Sequence, residues 1–216
     1  MHTNLIIAHR GYSDKYGDNN MQSFHEAVRA GFDMIELDVQ YCSSGEPVIY
    51  HDIDVDNCYV HHLSSETLFS KYNIITLERF LSEFAQCNIK LFLDIKGDEG
   101  VIVHVLDLVC QWIPLERRGN IFISGFNRYI VDHLSASDCG VQIGFTTENR
   151  FRHDELAYLT NGCHFVCLHW NALNNDSIAY FKQHNILVFS YTCKNYFIES
   201  HMKQFDIDGI VTNYLL

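Results

Sequence analysis

The stretch Asp33-Met34-Ile35-Glu36-Leu37-Asp38-Val39-Gln40-Tyr41-Cys42-Ser43-Ser44-Gly45-Glu46-Pro47-Val48-Ile49-Tyr50-His51-Asp52 decides how this chain folds. Residues 33–39 have the length and apolar content of a strand, broken at alternate positions by carboxylates. A second apolar run, 47–50, follows after only residues 42–46. A parallel crossover needs a dozen residues or more, so these two runs must pair as an antiparallel hairpin. Folding the chain about 43–45 returns His51 to the side of Asp38. This one segment therefore brings a histidine and two acids to the same end of a sheet.

Outward from it, apolar runs at 4–8, 90–95, 121–124, 141–145, 164–168, 186–191 and 208–212 alternate with segments of helical period. Leu77, Phe80, Leu81 and Phe84 follow the i, i+3, i+4, i+7 rule, and Val101, Val105, Leu108, Val109 and Trp112 make a second apolar face. Asp176 precedes Ile178 and Phe181 as the expected N-cap of a later helix. With 33–39 these runs make eight strands alternating with helices in 216 residues, the pattern of an α/β (β/α)8 TIM barrel, with the hairpin as an addition after the second strand. No linker or long repeat divides the chain, so a single domain over 1–216 is expected.

Composition narrows the function. A hydrophobic content of 47% with two prolines describes an ordered globular chain. The net charge of −12 disfavours nucleic acid and anionic membrane surfaces, both of which reward clustered Lys and Arg. No run approaches the ~20 apolar residues of a membrane span, and the start of the chain has no basic region before Leu5-Ile6-Ile7-Ala8. The eight cysteines are scattered without a C-x-x-C pair, which reads as reduced thiols and a cytoplasmic location. Cys163 and Cys167 with His164 and His169 could be arranged as a zinc site, but they fall on an expected strand at unsuitable spacing.

Glu36 and Asp38 are two residues apart on a strand, so they share a face, about 7 Å apart at the backbone. They are either paired with Arg or Lys, turned out of the core, or ligands of a hard cation at the carboxyl end of the barrel. Asp94-Ile95-Lys96 closes another strand and puts a third carboxylate and an ammonium at the same end. Three converging carboxylates repel one another unless a divalent cation joins them. Lys96 would then neutralise a phosphate, or else pair structurally with Asp94. His9 ends the first strand before Gly11, and with His51-Asp52 it becomes a candidate acid–base pair. Arg10 offers a bidentate phosphate contact or an ion pair with Asp14 or Asp18.

His9-Arg10-Gly11, Asp18-Asn19, Glu36-Leu37-Asp38-Val39, Gly45-x-Pro47-Val48-x-x-His51-Asp52, Thr76-Leu77-Glu78, Asp94-Ile95-Lys96, Tyr191-Thr192 and Asp208-Gly209-Ile210-Val211-Thr212 follow one another over nearly the whole chain. In this order the chain resembles a glycerophosphodiester phosphodiesterase. The resemblance implies a barrel of the phosphatidylinositol-phospholipase-C-like phosphodiesterase type. It implies a Mg2+ or Ca2+ ion on Glu36, Asp38 and Asp94, with His9 and His51 as general acid and base. Arg10 and Lys96 would bind phosphate, with Tyr191 on the substrate. A small soluble glycerophosphodiester would give glycerol 3-phosphate and an alcohol such as choline, ethanolamine or glycerol.

The chain departs from that pattern in places. The family's usual Glu is Asp94, as in sphingomyelinase-D-type barrels. Its Pro-Glu-Asn-Thr reads Gly17-Asp18-Asn19-Asn20, its frequent Trp is Tyr191, its final Thr-Asp is Thr212-Asn213, and 53–71 replaces a longer cap. Two alternatives follow. One is a phospholipase-D-like barrel working at a membrane, which needs an exposed apolar rim for which the sequence offers no strong candidate. The other is a barrel that binds a phosphorylated ligand without turnover. Tyr191 and Trp170 fall near the carboxyl ends of strands, where ligand contact and core packing are both open readings.

Overall fold

The computed structural model describes residues 4–97 and 100–216. Eleven strands form in chain order: β1 (Leu5–Ala8), β2 (Met34–Tyr41), β3 (Pro47–Ile49), β4 (Asp54–Val55), β5 (Cys58–Tyr59), β6 (Lys90–Ile95), β7 (Ile121–Gly125), β8 (Gln142–Thr147), β9 (Phe165–His169), β10 (Leu187–Cys193) and β11 (Gly209–Thr212). The α-helices are α1 (Ser13–Tyr16), α2 (Met21–Ala30), α3 (Ser65–Tyr72), α4 (Leu77–Phe84), α5 (Val101–Trp112), α6 (Arg128–Ser135), α7 (His153–Leu159), α8 (Asn175–Gln183) and α9 (Tyr196–Met202). Strands β1, β2 and β6 to β11 are parallel neighbours, and β1 pairs with both β2 and β11, which closes an eight-stranded barrel. Strand β3 pairs antiparallel with β2, Val39 opposite Ile49, and β4–β5 is a separate small antiparallel pair.

Alternation sorts each strand. In β2, Ile35, Leu37 and Val39 face the helices, and their layer includes the buried α4 residues Leu77, Phe80, Leu81 and Phe84. Met34 faces the barrel axis with Ile7, Phe92, Phe122, Phe165, Phe189 and Val211. Four phenylalanines therefore plug the barrel below the acids. Gly144 makes room for them, since a Cβ there would lie 2.3 Å from the Phe165 ring.

Strand ends run further than apolar content implied. β8 reaches Thr147 and β10 reaches Cys193, because Thr146, Thr147 and Thr192 are polar yet buried at the carboxyl end. The N-cap of α8 is Asn174, whose side chain accepts the Ser177 N–H at 2.9 Å; Asp176 lies in the first turn instead. No described helix is long and apolar enough to cross a membrane.

Candidate active site

β1 leads straight into the turn His9-Arg10-Gly11. Arg10 has φ of 57°, a conformation a non-glycine residue adopts at a cost, and its neighbours hold it there. Its N–H donates to Glu36 Oε2 at 2.8 Å, and its carbonyl accepts from Asn19 N (2.9 Å) and Ser23 Oγ (3.1 Å). Gly11 follows at φ 79°, and a Cβ there would strike Ser23 Oγ at 2.5 Å. The loop therefore lies close against the start of α2.

Register puts Asp38 of β2 opposite Asp94 of β6. Glu36, Asp38 and Asp94 are buried, and one oxygen from each lies within 4.8 Å of the others. Lys96 ion-pairs with Asp94 and, at 3.1 Å, with Asp38. Arg10 reaches Asp38 at 3.1 Å and Asp18 at 2.7 Å, so of its two expected acid partners the structure selects Asp18 and leaves Asp14 out. Asn19 adds a bond to Asp38 Oδ2 at 2.8 Å.

These contacts divide the three acids electrostatically. Burial pushes Glu36 well above the usual carboxylate range, and the Asp38 and Asp94 charges push it further. Asp94 is raised by burial too, against the pull of Lys96. For Asp38 burial also pushes upward, but Lys96 and Arg10 outweigh it and leave its carboxyl lowered. Asp94 Oδ1 is buried with no hydrogen-bond partner among the described residues.

The two histidines stand on either side. His9 Nδ1 lies 2.7 Å from Asn213 Oδ1; a carbonyl oxygen only accepts, so Nδ1 carries the proton and Nε2 is free. Burial, with Arg10 close by, pushes the His9 ring down to about 4, so it is neutral at pH 7. His51 comes back past β3, with Tyr50 N–H on the Asp38 carbonyl at 3.1 Å, and its Nδ1 meets Asp52 Oδ1 at 2.7 Å.

Both rings open on a cavity of about 530 Å3 at the carboxyl end of the barrel, together with Arg10, Glu36, Asp38, Asp94, Lys96 and Tyr191. All eight residues singled out in the sequence thus meet in one place. The far wall carries Phe126, Glu148, His169, Trp170, Lys194 and Ile198, of which only Trp170 was marked as a candidate for ligand contact. Tyr191 touches Phe126 and His169 edge-on, and its Oη is buried without a partner among the described residues. The suspected zinc ligands do not gather. His164 Nδ1 accepts the Ile143 N–H, Cys163 faces the Leu159 carbonyl, and only Cys167 and His169 reach the cavity. Among the described residues, Glu36, Asp38 and Asp94 are the one group placed to hold a metal.

The family model of the glycerophosphoryl diester phosphodiesterases matches residues 9–216, which takes in every one of these side chains. The chain belongs to this family. Among curated glycerophosphodiester phosphodiesterases and their relatives, the YhdW protein of Bacillus subtilis is 25% identical over 97% of this chain and 94% of its own. Glycerophosphodiester phosphodiesterase 1 of Mus musculus is 30% identical, over 50% of this chain and 42% of its own length. Solved structures share the fold. The glycerophosphodiester phosphodiesterase of Thermotoga maritima superposes with a TM-score of 0.80 at 21% identity, covering 99% of this chain and 96% of that one. An Oleispira antarctica phosphodiesterase, solved with its product sn-glycerol-3-phosphate, gives 0.85 at 20% identity, covering 97% and 92%.

Proposed function

We propose that this glycerophosphodiester phosphodiesterase hydrolyses small soluble glycerophosphodiesters to glycerol 3-phosphate and an alcohol, with His9 and His51 moving the protons. The observation that carries the reading is the meeting of His9 and His51, three buried carboxylates, Arg10 and Lys96 on one cavity. The product held by the Oleispira antarctica phosphodiesterase supports glycerol 3-phosphate as the retained half.

A divalent cation fits the acid cluster. Three buried carboxylates are packed together with Lys96 paired to two of them and Arg10 to one, Glu36 is held well above its ordinary range, and Asp94 Oδ1 has no donor among the described residues. Glu36, Asp38 and Asp94 would hold Mg2+ or Ca2+, both of which take hard oxygen ligands. When bound, such an ion supplies positive charge beside the phosphate oxygens. Arg10 and Lys96 line the same cavity as proposed phosphate ligands, and Tyr191, which lines it too, has a buried hydroxyl without an acceptor among the described residues.

A difference between the histidines supports dividing the roles between them. Neutral His9, with Nε2 free, accepts the proton of the nucleophile, water or the adjacent glycerol hydroxyl. His51, oriented by the Asp52 carboxylate, is the group we assign to donate a proton to the departing alkoxide. Eight free cysteines suit a reducing compartment, and we place the enzyme in the cytoplasm.

The test is release of glycerol 3-phosphate from glycerophosphocholine, glycerophosphoethanolamine and glycerophosphoglycerol, each with Mg2+, Ca2+ or EDTA. Cation-dependent release is expected. Equal release in EDTA would remove the metal from the reading, and none from any diester would leave a barrel that binds without turnover.

A further inference from the structure

Away from the cavity, one pair of side chains is placed for chemistry that hydrolysis does not use. The sulfurs of Cys110 and Cys139 lie 2.8 Å apart, both as free thiols. Cys110 is in the last turn of α5, and Cys139 lies in the loop from α6 to β8. They meet at the end of the barrel where the strands begin, opposite the end where the cavity opens. Among the described residues they are the one pair of cysteines whose sulfurs hydrogen-bond to each other. Cys42, Cys87, Cys163 and Cys193 turn theirs to backbone carbonyls instead.

The backbone around them is built to hold this contact. Arg118 donates from Nη2 to the Cys110 carbonyl at 3.0 Å, from Nη1 to the Cys139 carbonyl at 3.4 Å and from Nε to the Ile113 carbonyl at 2.9 Å. One guanidinium thus ties both cysteine backbones together, using carbonyls that the end of α5 leaves without helical partners. Gly140 turns the chain at φ 78° directly after Cys139. The two thiols differ in exposure and charge. Cys110 is exposed, and Cys139 is buried. Burial and the Cys110 contact push the Cys139 thiol up to about 12, against the pull of Arg118, so it keeps its proton at pH 7. Both line a groove of about 390 Å3 together with His133 and Asp138, which gives a small oxidant access to the exposed sulfur.

We propose that Cys110 and Cys139 form a redox-modification site, closed to a disulfide by a hydroperoxide and reopened by a dithiol. The Cys110 sulfur attacks the terminal peroxide oxygen. The O–O bond breaks, the thiol proton leaves with the departing oxygen as an alcohol or water, and Cys110 becomes a sulfenic acid. The Cys139 sulfur then displaces that hydroxyl: the S–S bond forms, the S–O bond breaks, and water leaves with the Cys139 proton. Two thiols have lost two electrons and two protons to the peroxide. The sulfurs need only close to about 2.05 Å, a movement of less than about 1 Å. The bond spans 29 positions and staples the end of α5 to the approach of β8, with β7 and α6 inside the closed loop. This face of a barrel serves stability rather than catalysis, so oxidation tightens the fold. In a reducing compartment such a bond is transient, which makes it a response to oxidising conditions. The inference is independent of the phosphodiesterase reading.

The test exposes the reduced full chain to equimolar hydrogen peroxide, blocks the remaining thiols with N-ethylmaleimide and maps peptides by mass spectrometry without reductant. Wild type is expected to give one linked pair of peptides, carrying Cys110 and Cys139, that dithiothreitol separates. Its melting temperature should rise by about 5 °C or more on oxidation, because closing a loop of this length restricts the unfolded chain. Cys110→Ser and Cys139→Ser should show no such rise. With Cys139 gone, the sulfenic acid has no resolving thiol, so dimedone should label Cys110 in Cys139→Ser and leave Cys139 unlabelled in Cys110→Ser. The wild-type peptide map decides whether the bond forms even if a variant folds poorly. Absence of the linked pair, a link between other cysteines in its place, or a linked protein whose melting temperature does not move would overturn the proposal. Dimedone on Cys139 rather than Cys110 would overturn the assigned order of attack.

Discussion

Replacing Glu36 with Gln should stabilise the metal-free protein at neutral pH, although it removes a proposed metal ligand. Burial and two neighbouring carboxylates raise Glu36 well above its ordinary 4.5. A carboxyl raised in the folded state binds its proton more tightly there than in the unfolded chain. Its favourable share is complete below pH 4.5 and is lost as pH rises toward the folded-state value. Each pH unit between the two costs about 1.4 kcal/mol. Gln keeps an oxygen for the Arg10 N–H and cannot ionise, so it escapes that cost. One unit alone corresponds to about 3–6 °C in melting temperature for a chain of this size. His9 works in the opposite direction: held near 4 mainly by burial, it gives stability that is lost as pH falls from about 6.5 to about 4. A single melting curve against pH therefore mixes both, and the difference between wild type and Glu36→Gln isolates the carboxylate. In EDTA, differential scanning fluorimetry should show the two proteins together at pH 4 and the variant about 3 °C or more above wild type at pH 7. Saturating Mg2+ or Ca2+ should raise wild type and leave the variant nearly unmoved. A variant equal to or below wild type in EDTA at pH 7 would refute the repulsion assigned to the cluster.

Other consequences are as direct. His9→Ala should lower turnover about 10^2–10^4-fold with its far-UV circular dichroism unchanged; wild-type turnover would remove His9 from the proton path. Asn213→Asp puts a carboxylate on His9 Nδ1 in place of a neutral acceptor, which favours the imidazolium, so the acidic limb of the kcat/KM profile should move to higher pH. A limb that stays in place would mean another group titrates there. Lys96→Met leaves Asp94 and Asp38 short of a buried cation and should cost roughly 3–5 kcal/mol in the metal-free protein, read by urea denaturation in EDTA, with recovery on adding Ca2+. Gly144→Ala should destabilise by about 1–3 kcal/mol at unchanged KM, because its methyl meets Phe165 far below the mouth.

Much of the barrel was legible because each strand is a short apolar run bounded by polar turns, and 42–46 are too few for any connection but a reversal. The acid pair was legible from alternation alone. What lay beyond reach depends on closure. His9 and Asn213 are 204 positions apart and meet only because β1 pairs with β11, Ala8 opposite Thr212. The bond from Asn19 to Asp38 likewise needs the left-handed turn at Arg10. Buried Thr146, Thr147 and Thr192 ended two strands too early on paper, since a polar residue at a barrel's carboxyl end faces a cavity rather than solvent. The sequence carried no reading of Tyr196-Phe197-Ile198, where only the last residue lines the cavity and its two predecessors are exposed.

The aromatic plug and the charged cluster are parts of one device. Phe92 neighbours Glu36 across β2 and β6, and Asp94 sits two residues above Phe92 on the same face, so the acids rest directly on the ring layer. A floor of four phenylalanines keeps water from below and leaves the cavity mouth as the side from which solvent can screen the three charges. Burial itself pushes Glu36 and Asp94 up, and at reduced dielectric the neighbouring carboxylate charges add to it, while on Asp38 Lys96 and Arg10 outweigh burial. The same floor strengthens the attraction of a cation to that spot. Filling the barrel with phenylalanine rather than aliphatic side chains alone therefore does more than pack it: it sets the field in which the carboxylates, the arginine and the lysine act.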